Sequence, residues 1–269
     1  MNARTEPAEA ESDALARPPL VRELLLVAGL FLVYKFGRQL ATGRTGEAFS
    51  NADRVWDLER TLRLPDESAV QSVLLHGDTL VRVANTYYAT VRFPATAAFL
   101  VWLYLRRPAH YVWARRVLAT VTAVALVGHL LFPLAPPRML EATGLIDTAR
   151  VYGPSVYGPP SSDQLSNQFA AMPSLHFGWA LMVAIGLIVA TRSRWRRLWL
   201  LHPLLTLLVI VGTANHYWLD AIVATALLGL ALAVIPPPHR TRTTAGRGTE
   251  HLVPAEVPVE EPTLVGAGR

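Results

Sequence analysis

Two short polar strings interrupt the apolar runs of this sequence, and each carries a histidine. The first is Ala170-Ala171-Met172-Pro173-Ser174-Leu175-His176-Phe177-Gly178-Trp179. Ser174 stands where a helix N-cap would, with Pro173 beside it. The unpaired amides of such a helix start, and its dipole, favour an anion. A serine and a histidine there read as a place to hold and protonate a phosphate. Ordinary capping plus an interfacial histidine would account for the same residues.

The second string is Gly212-Thr213-Ala214-Asn215-His216-Tyr217-Trp218-Leu219-Asp220. Asn215 is a natural N-cap for a following helix. His216 and Asp220 then fall at i and i+4, on one face and within reach. A carboxylate on one ring nitrogen fixes the tautomer and leaves the other nitrogen free as a base or nucleophile. Asp220 lies in an apolar run, where an unpaired carboxylate is expensive, so a partner is expected. A purely structural His–Asp hydrogen bond is the competing reading.

Two arginines complete the candidate set. Arg138 follows Phe132-Pro133-Leu134-Ala135-Pro136-Pro137, where the prolines stop a helix, and its guanidinium suits phosphate oxygens. Arg92 falls inside an apolar run, about 10 Å from its boundary at the helical rise. An intramembrane arginine is a functional candidate by default. Outward snorkelling is the alternative for both. His129 reads as a helix–helix hydrogen bond, and His76, His110, His202, His239 and His251 have no organised partners.

The elements that must position these residues follow from composition. The chain has 269 residues, of which 52% are hydrophobic, and no cysteine, which removes disulfides and thiolate chemistry. Its net charge of +5 is carried by arginines, with Lys35 as the single lysine. These cluster between apolar runs, which fits a membrane protein better than a nucleic-acid partner. Apolar runs at 20–36, 83–105, 114–134, 172–190, 198–214 and 216–235 each approach the ~20 residues needed to cross a bilayer. The expected fold is an all-α integral membrane six-helix bundle spanning 20–235.

Between the first two runs, 37–81 reads as short amphipathic interfacial helices. Ser50 is placed as the cap of one and Asp66 as the cap of another, with Pro65 between them. Residues 1–19 and 236–269 read as disordered tails. Residues 1–19 also lack the pattern of a signal peptide. The loops 106–116 and 191–197 are rich in arginine and contain no acid, so both are expected in the cytoplasm with both termini. His176 and His216 then share the outer end of the bundle.

At these residues a resemblance emerges. Pro173-Ser174-Leu175-His176 resembles the P-S-G-H motif of the type 2 phosphatidic acid phosphatase superfamily, and His216 with Asp220 resembles the H-x-x-x-D end of its third motif. The fuller strings are similar to the branch related to inositol phosphorylceramide synthase. Together with Ala-Pro-Pro-Arg at 135–138, they are the specific part of a likeness covering most of 47–235.

The resemblance implies a six-helix membrane enzyme acting on phosphate esters or diphosphates of lipids. The residue matching His216 is the nucleophile, forming a phosphohistidine that Asp220 orients. His176 matches the acid to the leaving oxygen, and Ser174 and Arg138 match phosphate-binding positions. Leu131 and Ile210 stand where the superfamily has a lysine and an arginine, and Met139 stands where a proline is expected. On charge alone, Arg92 is a candidate replacement.

The expected function is that of a cell-membrane lipid-phosphate phosphatase or phosphotransferase with its site on the outer face. It needs no cofactor and no metal, and its partners are a lipid phosphate or phospholipid and the membrane, not nucleic acid. The rival is a non-catalytic six-span lipid carrier or binding protein. A carrier should show internal pseudo-symmetry and polar residues along its whole path. Here the organised polar residues sit at one end.

Overall fold

Prolines and caps set several helix boundaries in the computed structural model, which describes residues 18–40, 44–154 and 168–238. Apart from 18–19 and 236–238, the expected tails lie outside the described residues. The helices are α1 (Leu20–Leu40), α2 (Thr45–Thr61), α3 (Glu67–Leu74), α4 (Asp78–Thr90) and α5 (Arg92–Arg106). They continue as α6 (Pro108–Leu131), α7 (Thr148–Tyr152), α8 (Leu175–Ala190), α9 (Leu201–Gly212) and α10 (Trp218–Val234). The fold is all-α: among the described residues the extended pairing is a single isolated bridge, Leu134 with Ala170.

Local chemistry explains several ends. The Asp66 side chain caps α3 by accepting the Ser68 amide at 2.9 Å, and that amide holds the Asp66 carboxyl below its usual range. Ser50 does not cap α2, which starts at Thr45, more than one turn earlier. There Arg44 pairs with Glu47 and donates to the Leu130 carbonyl, tying the helix start to α6. The arginine-rich loop expected at 106–116 shrinks to Arg107, because Pro108 opens α6 at once. Arg115 is thereby drawn into a helix, where it pairs with Glu23 of α1.

The apolar run 83–105 is not one helix. It breaks at Val91, and α4 and α5 meet at 49°. Pro94 has no amide to give the Thr90 carbonyl, so the helical ladder cannot run through this point. Arg92 therefore sits at a bend and not in mid-helix.

Helix α8 is the hub, packed against α5, α6, α9 and α10. Its small residues permit this. A Cβ on Gly186 would lie 2.3 Å from the Phe99 ring of α5. Phe99, Leu103, Val117, Val121, Met182 and Leu228 form the central core. Burying each of these large side chains stabilises the fold by about 1.5–3 kcal/mol. Helix α3 packs on α9 with similar closeness, since a Cβ on Gly212 would meet Leu74 at 2.5 Å. The two helices expected at the membrane surface are thus built into the body, with Ala48, Ala52 and Val55 of α2 buried beside Leu134 and Tyr217.

Among the described residues α6 is long and apolar enough to cross a membrane, and the bent pair α4–α5 qualifies when taken together. Helices α8 and α10 are apolar but shorter. Their apolar runs include residues 172–174 and 216–217, which precede the helices as non-helical chain.

Candidate active site

The site is assembled where α8 and α10 begin. Ser174 is fully buried and caps α8, its Oγ accepting the Phe177 amide at 3.4 Å. Its own amide donates to the Asp220 carbonyl at 3.1 Å, which fastens the two helix starts together. The preceding chain pairs with the proline-rich segment, Leu134 donating to the Phe169 carbonyl at 2.8 Å. His129 hydrogen-bonds the Pro173 carbonyl at 3.1 Å, which ties α6 to the turn ahead of α8 and not to a second helix.

His176 lies in the first turn of α8. Its ring stacks on Tyr88 at 4.3 Å, inclined by 17°. Arg92 Nη1 approaches His176 Nδ1 at 3.1 Å. A guanidinium only donates, so Nδ1 accepts and the ring proton lies on Nε2. Arg92 also lies over the Phe93 and Trp179 rings, at 4.3 and 5.6 Å, in cation–π geometry.

His216 differs from expectation in its setting. Helix α10 starts at Trp218, and His216 occupies the turn before it. Asn215 caps nothing: its amide nitrogen donates to Thr213 Oγ1 at 2.8 Å and its Oδ1 accepts from Arg138 at 2.9 Å. The cap is instead reached from behind, as Asp220 Oδ2 accepts the Tyr217 amide at 3.0 Å. The His216–Asp220 pair nevertheless forms, Nδ1 to Oδ2 at 3.1 Å. Nδ1 is also 2.9 Å from the Ala171 carbonyl. Both neighbours are acceptors, so Nδ1 carries the proton and Nε2 offers its lone pair. His216 and Asp220 are buried. The His176 and His216 rings stand 5.7 Å apart, tilted by 60°.

Arg138 joins this turn from the proline-rich segment. Its backbone amide donates to the Ala214 carbonyl at 2.9 Å, and its guanidinium approaches Asp147 at 3.4 Å besides Asn215. Ala214 has φ 53°, a left-handed conformation that costs an alanine about 1–2 kcal/mol and that these contacts hold in place.

A family model describing the PAP2 superfamily matches residues 53–234. The chain belongs to the PAP2 superfamily. Membership in the PAP2 superfamily supports phosphatase-type hydrolase activity. Comparison with curated proteins and with solved structures gives no match.

Of the six residues singled out in the sequence of this PAP2 superfamily chain, the structure links five by direct contact. Ser174 and His216 bond Asp220, His176 faces His216, and Arg92 reaches His176. Arg138 touches the residue next to His216. A narrow cleft beside His176 is lined by Tyr87, Tyr88, Arg92, His202 and Thr206, and by neither His216 nor Arg138. His202 does have an organised partner, Tyr87 Oη at 3.0 Å. On the other side of Arg92 lies an apolar cavity of about 360 Å³, bordered by Leu26, Phe93, Leu100, Leu118 and Trp179.

The two positions lacking a cation have opposite fates: Leu131 is 73% exposed, and Ile210 is buried. The sequence reading missed Tyr88 under His176 and two buried glutamates, Glu59 and Glu67.

Proposed function

We propose that the chain is a multi-pass membrane enzyme that cleaves or transfers the phosphate group of a lipid phosphate or phospholipid through a phosphohistidine on His216. The observation that carries this reading is the facing pair of imidazoles, with the Nδ1 of His216 bound by Asp220 and that of His176 by Arg92. His216 Nε2 attacks phosphorus, forming an N–P bond as the bond to the leaving oxygen breaks. Arg92 turns from His176 onto the phosphate oxygens, where its charge stabilises the transition state. Freed from Arg92, His176 Nδ1 binds a proton from the solvent pool before the attack, and the imidazolium passes a proton to the leaving oxygen as its bond to phosphorus breaks. Neutral His176 next removes a proton from the attacking hydroxyl, and His216 leaves phosphorus.

Ser174 and Arg138 act as phosphate-side supports, with Ser174 also holding the first turn of α8. The apolar cavity beside Arg92 supports a substrate with a hydrocarbon chain, because a free sugar phosphate would leave those walls in water. A six-span arrangement over 20–235, with both termini in the cytoplasm and the site on the outer face, is supported by the arginine-rich turns. Exposed apolar side chains point the same way, among them Leu24, Leu25, Leu204, Leu205 and Leu230. The likeness of the two strings to the branch related to inositol phosphorylceramide synthase favours keeping transfer to a hydroxyl beside hydrolysis.

The test is turnover by the purified protein on a panel of lipid phosphates and phospholipids, with and without alcohol acceptors. Free phosphate alone identifies a phosphatase, and an acceptor-dependent product identifies a transferase. No turnover of any member, with no phosphohistidine formed, rejects the reading.

A further inference from the structure

The turn that carries His216 is held from behind by an acidic pair. Glu59 of α2 and Glu67 of α3 are both fully buried. Glu59 Oε1 accepts the Leu219 amide at 2.7 Å, in the first turn of α10. Arg60 Nη2 lies 2.6 Å from Glu67 Oε2 and 3.8 Å from Glu59 Oε2. One guanidinium thus stands against two buried carboxyls, with the Asp220 carboxyl close by. The two remaining oxygens, Glu59 Oε2 and Glu67 Oε1, are buried and have no hydrogen-bond partner among the described residues, and two neighbouring buried carboxyls disfavour ionising together. Carboxylate oxygens only accept, so a bond between them needs a proton.

We propose that Glu59 is a positioning residue for the nucleophile: its protonated carboxyl donates from Oε2 to Glu67 while Oε1 grips the Leu219 amide, and so fixes the His216–Asp220 turn. The positioning role rests on the reading of His216 as the nucleophile. Burial, with the Glu67 carboxyl beside it, pushes Glu59 up to about 9. The groups facing it are Glu67 from α3, Arg60 from its own helix with Asp66 beyond, and Asp220 and Tyr217 from the α10 start. Arg60 is the cation among these, and its closest carboxyl oxygen belongs to Glu67. Because the folded value lies above the ordinary 4.5, the stabilisation is complete below about pH 4.5 and is lost as pH rises through 9.

Two variants separate the possibilities. Glu59→Gln keeps an oxygen for Leu219 and gives Glu67 a permanent N–H donor. Glu59→Leu fills a similar volume and offers neither. The full-length protein in detergent is melted between pH 5 and pH 9, and kcat and KM are measured on a lipid phosphate across the same range. The melting temperature of the wild type should fall over this range by at least about 3 °C more than that of Glu59→Gln. Glu59→Leu should melt lower throughout and lose at least about tenfold in kcat with little change in KM. Glu59→Gln should stay within about threefold of wild type near pH 7, and its alkaline activity limb should shift upward.

Parallel melting profiles for wild type and Glu59→Gln would overturn the protonated pair. Unchanged kcat in Glu59→Leu, or equal damage in both variants, would overturn the positioning role. If the wild type turns over no lipid phosphate, the nucleophile reading fails and takes that role with it, while the melting profiles still decide the pair.

Discussion

Helices α8 and α10 each start next to a histidine, yet their first turns are built from different materials. At α8 the cap is local: Ser174 accepts the amide three residues on, and His176 follows within the same turn. At α10 the residue best suited to cap, Asn215, is engaged with Arg138, and the helix begins three residues later. Asp220 reaches back to the Tyr217 amide and Glu59 reaches across from α2 to the Leu219 amide. One helix start is capped by its neighbours in sequence, and the other also leans on a partner far along the chain. A group that must attack phosphorus needs its ring fixed at both ends, which a short local cap does not supply.

Substitutions break or sharpen this contrast, and the largest effect belongs to α10. His216→Ala should lower kcat by about ten-thousandfold or more and abolish the phosphoenzyme, read by trapping labelled phosphate on the protein. His176→Ala should cost about 10²–10⁴-fold while still forming a phosphoenzyme from a substrate with an activated leaving group. Equal residual activity in both variants, with no phosphohistidine in either, would erase the division of roles.

Arg92→Met should raise the barrier by about 1.5–3 kcal/mol in kcat/KM, since one charge-assisted contact is removed from a protein that still folds. Wild-type kinetics would leave Arg92 as an arginine merely packed at the helix bend. The smallest effect concerns α8 itself. Ser174→Ala should lower stability by about 0.5–2 kcal/mol through the lost cap, measured by thermal melting.

The periodic runs and their prolines sufficed to place most of the long helices, because a hydrophobic face and a missing amide act within a few residues. The all-α class, the cap at Ser174, the cap at Asp66 and the His216–Asp220 pairing were legible for that reason. The bend at Val91 was legible in principle too, from Pro94, although the apolar run hid it. Other features were decided by tertiary structure alone. The start of α2 depends on Arg44 bonding a carbonyl of α6. The delayed start of α10 depends on Arg138 and Glu59 arriving from two other parts of the chain, beside Asp220 of α10 itself. The depth of Glu59 and Glu67 depends on α2 and α3 docking against α9 and α10, which turns two charges expected at a surface into a buried pair. The bonds made by Arg44, Arg138 and Glu59 join residues 77 to 160 positions apart, beyond the reach of any local pattern.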